Sequence, residues 1–335
     1  MTARHSTSFL YTLVFLGAGI IVAFILSLCV GAVPLPVLPS LRALLFEPAS
    51  DAALILREIR LPRALLGLLV GASLGLSGAS MQGLLRNPLA EPGVLGVTGG
   101  GVFGAVLMLY TGVATVWPLA LPVGGMLGAF VSVWLLYVLA GKMPSTQTLI
   151  LAGVALNILA FAGTSLALNL SRNPYATIEI IFWQMGSLAD RSLDHVMLAA
   201  PFILAGWVLL LWDAQALNAL TLGEEAAASM GIPLSHVRFR VIAGTALAVG
   251  ASVAVCGSIG FVGLVVPHLL RPLVGHEPGK LLGVSALGGA ILILLADTAV
   301  RVIPVMAELK LGVLTSLIGA PFFIFLIWKW RHQIV

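Results

Sequence analysis

The chain has 335 residues, of which 60% are hydrophobic and only 9% charged, against roughly 25% charged in an ordinary soluble domain. With a mean hydropathy of +1.10, it lacks the charged shell that would keep a soluble fold in water, and its composition is neither that of a disordered chain nor that of a disulfide scaffold. The net charge of +4 comes from basic residues scattered between apolar runs, a pattern of membrane edges and not of a nucleic-acid surface.

A helical span needs about 20 residues, so this length holds roughly eight to twelve of them. Charge-free windows run over 7–41, 64–85, 92–141, 143–171, 196–212, 241–270, 281–296 and 311–328. The window at 92–141 is too long for one helix, and Trp117-Pro118 is the expected break. The window at 241–270 contains Cys256-Gly257-Ser258-Ile259-Gly260, a turn signal that allows either one span or two. No β-barrel alternation is present, so the spans are helical. Arg4 and His5 precede the first run, which far exceeds the ~7–15 residues of a signal-peptide core; an uncleaved first span is expected. With ten spans and the N-terminus inside, the basic residues divide almost evenly, and the outer face is rich in arginine.

Gly67, Gly71, Gly75 and Gly78 repeat at helical spacing in the second span, alongside Ser73, Ser77 and Ser80. Such a stripe lets helix backbones approach closely in lipid, and a pore-lining role is the alternative. Cys29 and Cys256 both lie in apolar runs and read as packing thiols. Gly275-His276-Glu277-Pro278-Gly279-Lys280 has the wrong spacing for a phosphate loop and reads as a loop with a helix start. The histidines are dispersed with no metal-ligand spacing, and no nucleophile–base pair can be assembled.

Residues 213–240 differ from the rest of the chain. Thr221 is a plausible N-cap, with Glu224 three residues on and an alanine-rich body behind it. Gly231 ends that helix and Pro233 begins another short one. A pair of short amphipathic helices in an otherwise apolar chain suits either a docking platform or a partly helical connector.

Several segments together resemble one family. Ile59-Arg60-Leu61-Pro62-Arg63 opens a span, and Arg86-Asn87-Pro88-Leu89-Ala90-Glu91-Pro92-Gly93 follows it. Leu222-Gly223-Glu224-Glu225-Ala226, Gly260-Phe261-Val262-Gly263-Leu264-Val265-Val266-Pro267-His268 and Gly312-Val313-Leu314-Thr315-Ser316-Leu317-Ile318-Gly319-Ala320-Pro321 come later in register. This series is similar to the FecCD-type permeases, the membrane subunits of ABC importers for iron–siderophores, haem and vitamin B12.

The resemblance implies an all-α membrane protein of about ten helices, forming a single permease domain over 1–335. It implies multi-pass placement in the bacterial inner membrane with both termini cytoplasmic. It resolves the 241–270 window into two spans. Its implied partners are a second permease copy as a homodimer, two cytoplasmic ATPase subunits, a periplasmic substrate-binding protein and lipid. This chain would bind no cofactor, with ATP and Mg held by the ATPase, and would perform no catalysis. Coupling helices match 217–235, with Leu222, Gly223, Glu224, Glu225 and Gly231 facing the ATPase. A cytoplasmic gate matches Asn87, Leu89, Ser145 and Thr146. Docking arginines for the binding protein match Arg60, Arg63 and Arg301, on an exposed outer rim. A periplasmic segment matches 172–194. The expected cargo is an iron chelate, siderophore-bound or haem, with cobalamin or an oxyanion as alternatives. An ATP-independent secondary transporter is the reading from another class; such proteins usually carry intramembrane charges, and here Asp297 is the nearest.

Overall fold

The computed structural model describes residues 2–31, 50–141, 145–303 and 308–331. The end of the first apolar window and the start of the fourth, at 143, lie outside the described residues. The described chain is helical throughout, and its elements are α1 (Thr2–Cys29), α2 (Asp51–Leu54), α3 (Leu61–Leu85), α4 (Val97–Tyr110), α5 (Val113–Val116), α6 (Ala120–Ala140), α7 (Thr146–Leu170), α8 (Pro174–Gln184), α9 (Leu193–Trp212), α10 (Ala214–Leu220), α11 (Glu224–Ser229), α12 (Leu234–Cys256), α13 (Val262–Leu270), α14 (Pro278–Val302) and α15 (Leu311–Arg331). A π-helical turn, Ile55–Arg60, joins α2 to α3 as one continuous rod.

Eight of these helices are long and apolar enough to cross a membrane. Two shorter apolar helices, Val97–Tyr110 and Val262–Val274, complete the expected set. The breaks fall where the sequence puts them. Trp117-Pro118 separates α5 from α6, and the turn after Cys256 separates α12 from α13.

Burial identifies the centre of the bundle. The apolar window of α3 is 83% buried and that of α12 78%, whereas α1 is only 22% buried. α3 can sit at the centre because its glycine stripe admits neighbouring backbones. A Cβ on Gly71 would lie 2.4 Å from the Gly289 carbonyl oxygen, and one on Gly78 would lie 1.9 Å from that of Gly263. The stripe therefore packs α3 against α14 and α13, and the pore-lining alternative does not hold. α4 and α6 cross in the same way, with the Gly104 Cβ position 2.1 Å from the Gly124 oxygen. Among the serines, Ser73 donates to the Leu69 carbonyl at 2.7 Å and accepts from Trp207 Nε1 at 2.9 Å.

The short helices begin on irregular backbone at depth, and side chains satisfy it. Asn157 Nδ2 donates to the Gly93 oxygen at 2.6 Å, and Ser132 Oγ to the Gly96 oxygen at 2.8 Å. Gln82 Nε2 reaches the Leu264 oxygen at 3.4 Å. Phe261, held at φ 68°, turns the chain into α13.

The polar insert is two short helices, but not the pair expected. Thr221 is not an N-cap. Its hydroxyl donates back to the Asn218 oxygen at 2.7 Å, so it closes α10, and Gly223 at φ 105° precedes α11. Pro233 opens no separate short helix; it caps α12, which continues as a span. The 275–280 segment is a turn and a helix start, as its spacing implies: Gly275 and His276 have positive φ, and α14 begins at Pro278.

Candidate functional site

Three places on the bundle bear on function: a chamber at mid-depth and the two ends. The chamber lies between α4 and α7, and its volume is about 600 Å³. Glu91, Thr98, Asn157, Thr164, Gln184 and Ser258 provide its polar lining, and Val102, Val154 and Phe161 its apolar lining. The Glu91 carboxylate takes a backbone hydrogen bond from Phe261, tying the turn before α4 to the start of α13. On α7, Val154 and Phe161 are exposed, so the chamber is open on that side. The sequence reading missed Glu91 and Asn157. The available signal was an amide in the middle of an apolar span and a carboxylate between two spans, since polar groups at membrane depth are costly without a function.

At one end, the insert end, lie the residues expected to form a gate, on the connection after α3 and at the start of α7. Asn87 Oδ1 accepts from the Leu89 backbone at 2.9 Å, directly after α3 ends in a left-handed Arg86. Ser145 caps α7, its hydroxyl accepting from the Thr148 backbone at 3.1 Å, and Thr146 is the first residue of that helix.

The coupling segment is at the same end. α10 is seated by buried Leu217, Ala219 and Leu220. Asn218 links it to α14, donating to Glu277 at 3.1 Å and accepting from the Gly279 backbone at 2.6 Å. Below it, Asp213 and Arg240 pair through both carboxylate oxygens at 2.8 and 2.5 Å. Glu224 is half-buried and is bonded by Arg238 at 2.7 Å. It thus fixes α11 to α12, and the outward surface is made by Leu222 (69% exposed), Met230 (63% exposed) and the exposed Glu225. Gly223 and Gly231 hold the positive-φ turns on either side of α11.

At the opposite end the expected rim arginines are not exposed: Arg60 is 5% accessible and Arg63 7%. Arg63 is bonded by both oxygens of Asp297 at 2.9–3.0 Å and also contacts Glu308. Arg301 donates to the Ser27 oxygen at 2.8 Å and the Val30 oxygen at 3.1 Å, and lies 3.2 Å from Asp297. Arg60 donates to the Leu28 oxygen at 2.8 Å. The physical reason is the company these residues keep. A guanidinium at a helix end inside an apolar bundle is drawn to a nearby carboxylate and to the unsatisfied carbonyls that end α1. The three arginines close α1, α3 and α14 into one clasp. Nearby, Arg191 Nε donates to the Val255 oxygen at 2.5 Å, closing the end of α12; burial lowers its pKa.

No group of three His, Cys, Asp or Glu side chains among the described residues could hold a metal ion. A chamber lined by one carboxylate, amides, hydroxyls and apolar side chains, set in a bundle of apolar helices long enough to cross a membrane, is the setting of a membrane permease. The chain belongs to the FecCD transport family, whose family model matches residues 19–329. It is 39% identical over 286 residues to the hemin transport system permease protein HmuU of Yersinia pestis, covering 82% of this chain and 84% of that one. It is 43% identical over 274 residues to the vitamin B12 import system permease protein BtuC of Vibrio cholerae, covering 81% of each. It is 39% identical over 312 residues to the Fe(3+) dicitrate transport system permease protein FecD of Escherichia coli, covering 92% of this chain and 95% of that one. A solved inward-facing structure of a metal-chelate type ABC transporter matches with TM-score 0.83 and 34% identity, covering 96% of this chain and 99% of its own. The chain is therefore an ABC-transporter permease subunit, a transport protein and not itself an enzyme, of a family that works with ATPase and binding-protein partners.

Proposed function

We propose that two copies of this chain form the membrane path of an importer that carries a metal chelate, an iron–siderophore complex or haem, from periplasm to cytoplasm. The observation that supports this reading most directly is the chamber beside α7, polar but without a binding constellation, in a chain similar to hemin and ferric-dicitrate permeases. A weakly binding path passes its cargo on, whereas tight binding would trap it. Cobalamin is the second reading, favoured by the 43% identity to a vitamin B12 permease.

In this reading the protein lies in the inner membrane with both termini cytoplasmic and the insert end facing the cytoplasm. α10 and α11 seat on two ATPase subunits, which bind ATP and Mg. Asn87, Leu89, Ser145 and Thr146 form the cytoplasmic gate. The arginine end faces the periplasmic binding protein. ATP-driven closure of the ATPase pair rocks the two permease copies as rigid bodies between packed states. The test is uptake into proteoliposomes holding the full complex, with labelled ferric siderophore, haem and cobalamin offered separately. ATP-dependent accumulation of an iron chelate in preference to cobalamin is expected. Accumulation without the ATPase subunits would overturn the reading in favour of a secondary transporter.

A further inference from the structure

The arginine clasp is asymmetric. Arg63 presents two donor edges. The edge formed by Nε and Nη2 is held by Asp297, whose side chain is 2% exposed. The edge formed by Nη1 and Nη2 is held by Glu308, whose side chain is 34% exposed. Glu308 lies outside any helix, just ahead of α15. Arg301 spends its donors on Ser27, Val30, Thr298 and Asp297. A carboxylate arriving from outside the bundle can therefore compete for the donor edge of Arg63 that the partly exposed Glu308 now occupies.

We propose that Glu308 stands in for a carboxylate of an acidic partner protein, and that docking exchanges one carboxylate for the other on the outer edge of Arg63. This inference rests on the reading above that the arginine end receives the binding protein. In the undocked state an uncompensated guanidinium edge in apolar surroundings would be costly, and Glu308 neutralises it. Three arginines against two carboxylates still leave the clasp positive, so it attracts an acidic surface over a distance set by salt. Because Glu308 is already partly in water, releasing it costs little. Because one carboxylate replaces another, the partner gains only the difference, and the dock remains reversible. Asp297, closed to solvent, keeps Arg63 aimed throughout the exchange.

The experiment measures affinity of the substrate-free cognate binding protein for the full complex in lipid nanodiscs, at low and high salt. Wild type is compared with Glu308→Gln and Glu308→Ala, each checked for insertion and thermal stability. Glu308→Asp, one methylene shorter, serves as a third variant should either fail to insert. Docking is expected to weaken with salt in wild type. At low salt it is expected to tighten about two- to five-fold in the Gln and Ala variants, the scale of one exposed ion pair. If wild-type docking is salt-sensitive while the Glu308 variants bind equally or more weakly, the exchange is refuted and the arginine dock stands. If wild-type docking is indifferent to salt, the arginine dock itself is refuted, and the exchange with it.

Discussion

Gly75 and Ser285 cross so closely that a Cβ on Gly75 would lie 2.0 Å from the Ser285 carbonyl oxygen. The obstacle is backbone, so no rotamer change can relieve it. Gly75→Ala should force α3 away from α14 and cost ~1–3 kcal/mol, the range for overpacking a tight core. A lowered melting temperature of the purified permease in detergent would register this. Gly17→Ala is the matched control: nothing lies within 4 Å of its Cβ position, and its melting temperature should equal wild type.

Asp297 and Glu308 both contact Arg63, yet their loss should differ sharply. Asp297 is buried and shared by Arg63 and Arg301. Removing one partner from such a cluster typically costs ~3–5 kcal/mol because a buried charge is left unpaired. Asp297→Asn should yield little monodisperse protein by size-exclusion chromatography. Glu308→Gln should cost much less, because Glu308 is partly solvated and a glutamine oxygen can still accept from Arg63, and it should purify normally.

Glu224 and Arg238 make a prediction about geometry rather than contact. Since Glu224 is bonded to Arg238, Glu224→Arg should release α11 and reduce co-purification of the ATPase subunit. The double reversal Glu224→Arg with Arg238→Glu should restore it. Leu222→Asp and Met230→Asp act on the outward surface itself, so they should reduce co-purification with no such rescue. Failure of the double reversal would return Glu224 to the contact surface.

Ser145 and Thr146 open α7 on a connection beside the chamber. In a two-copy path, cysteines at these positions should crosslink between copies in at least one nucleotide state. Cysteine at Gly283, half-buried on α14 with open space at its Cβ position, is the negative control. Crosslinking in no state, with positive controls elsewhere along α7, would remove these residues from the gate.

Much of the fold was legible from charge alone, because a run that excludes charge for 20 residues has few alternatives to a span. The break at Trp117-Pro118 was legible for a second reason, since proline acts locally, whereas the glycines after Cys256 allowed one span or two and only the family resemblance resolved them into two. The exposure of Arg63 was not legible. Asp297 lies 234 residues further along the chain, and no local pattern announces that the two will meet. Thr221 shows a subtler limit. A hydroxyl three residues before a glutamate fits a capping box, but the same hydroxyl also fits the closing turn of α10, and the neighbouring helix decided between them. Asn157 and Glu91 were passed over although each is a polar residue among apolar runs, and only the crossing of α4 and α7 placed them around one chamber.

The two short helices have a consequence for how the protein is made. Val262–Val274 has thirteen residues, about 20 Å at 1.5 Å per residue, against a hydrocarbon core of about 30 Å. Both it and Val97–Tyr110 are too short to span that core alone, and each, or the turn leading into it, takes a hydrogen bond from a side-chain amide of a neighbouring helix. Their donors arrive at different times during synthesis. Gln82 leaves the ribosome 181 residues before Gly263, so it is already in place when the later helix emerges. Asn157 follows Gly93 by 64 residues, so this contact forms only once α7 has been delivered. The packing around α4 is thus expected to be completed late: a chain arrested before Asn157 should leave α4 accessible to water-soluble thiol reagents at an engineered cysteine.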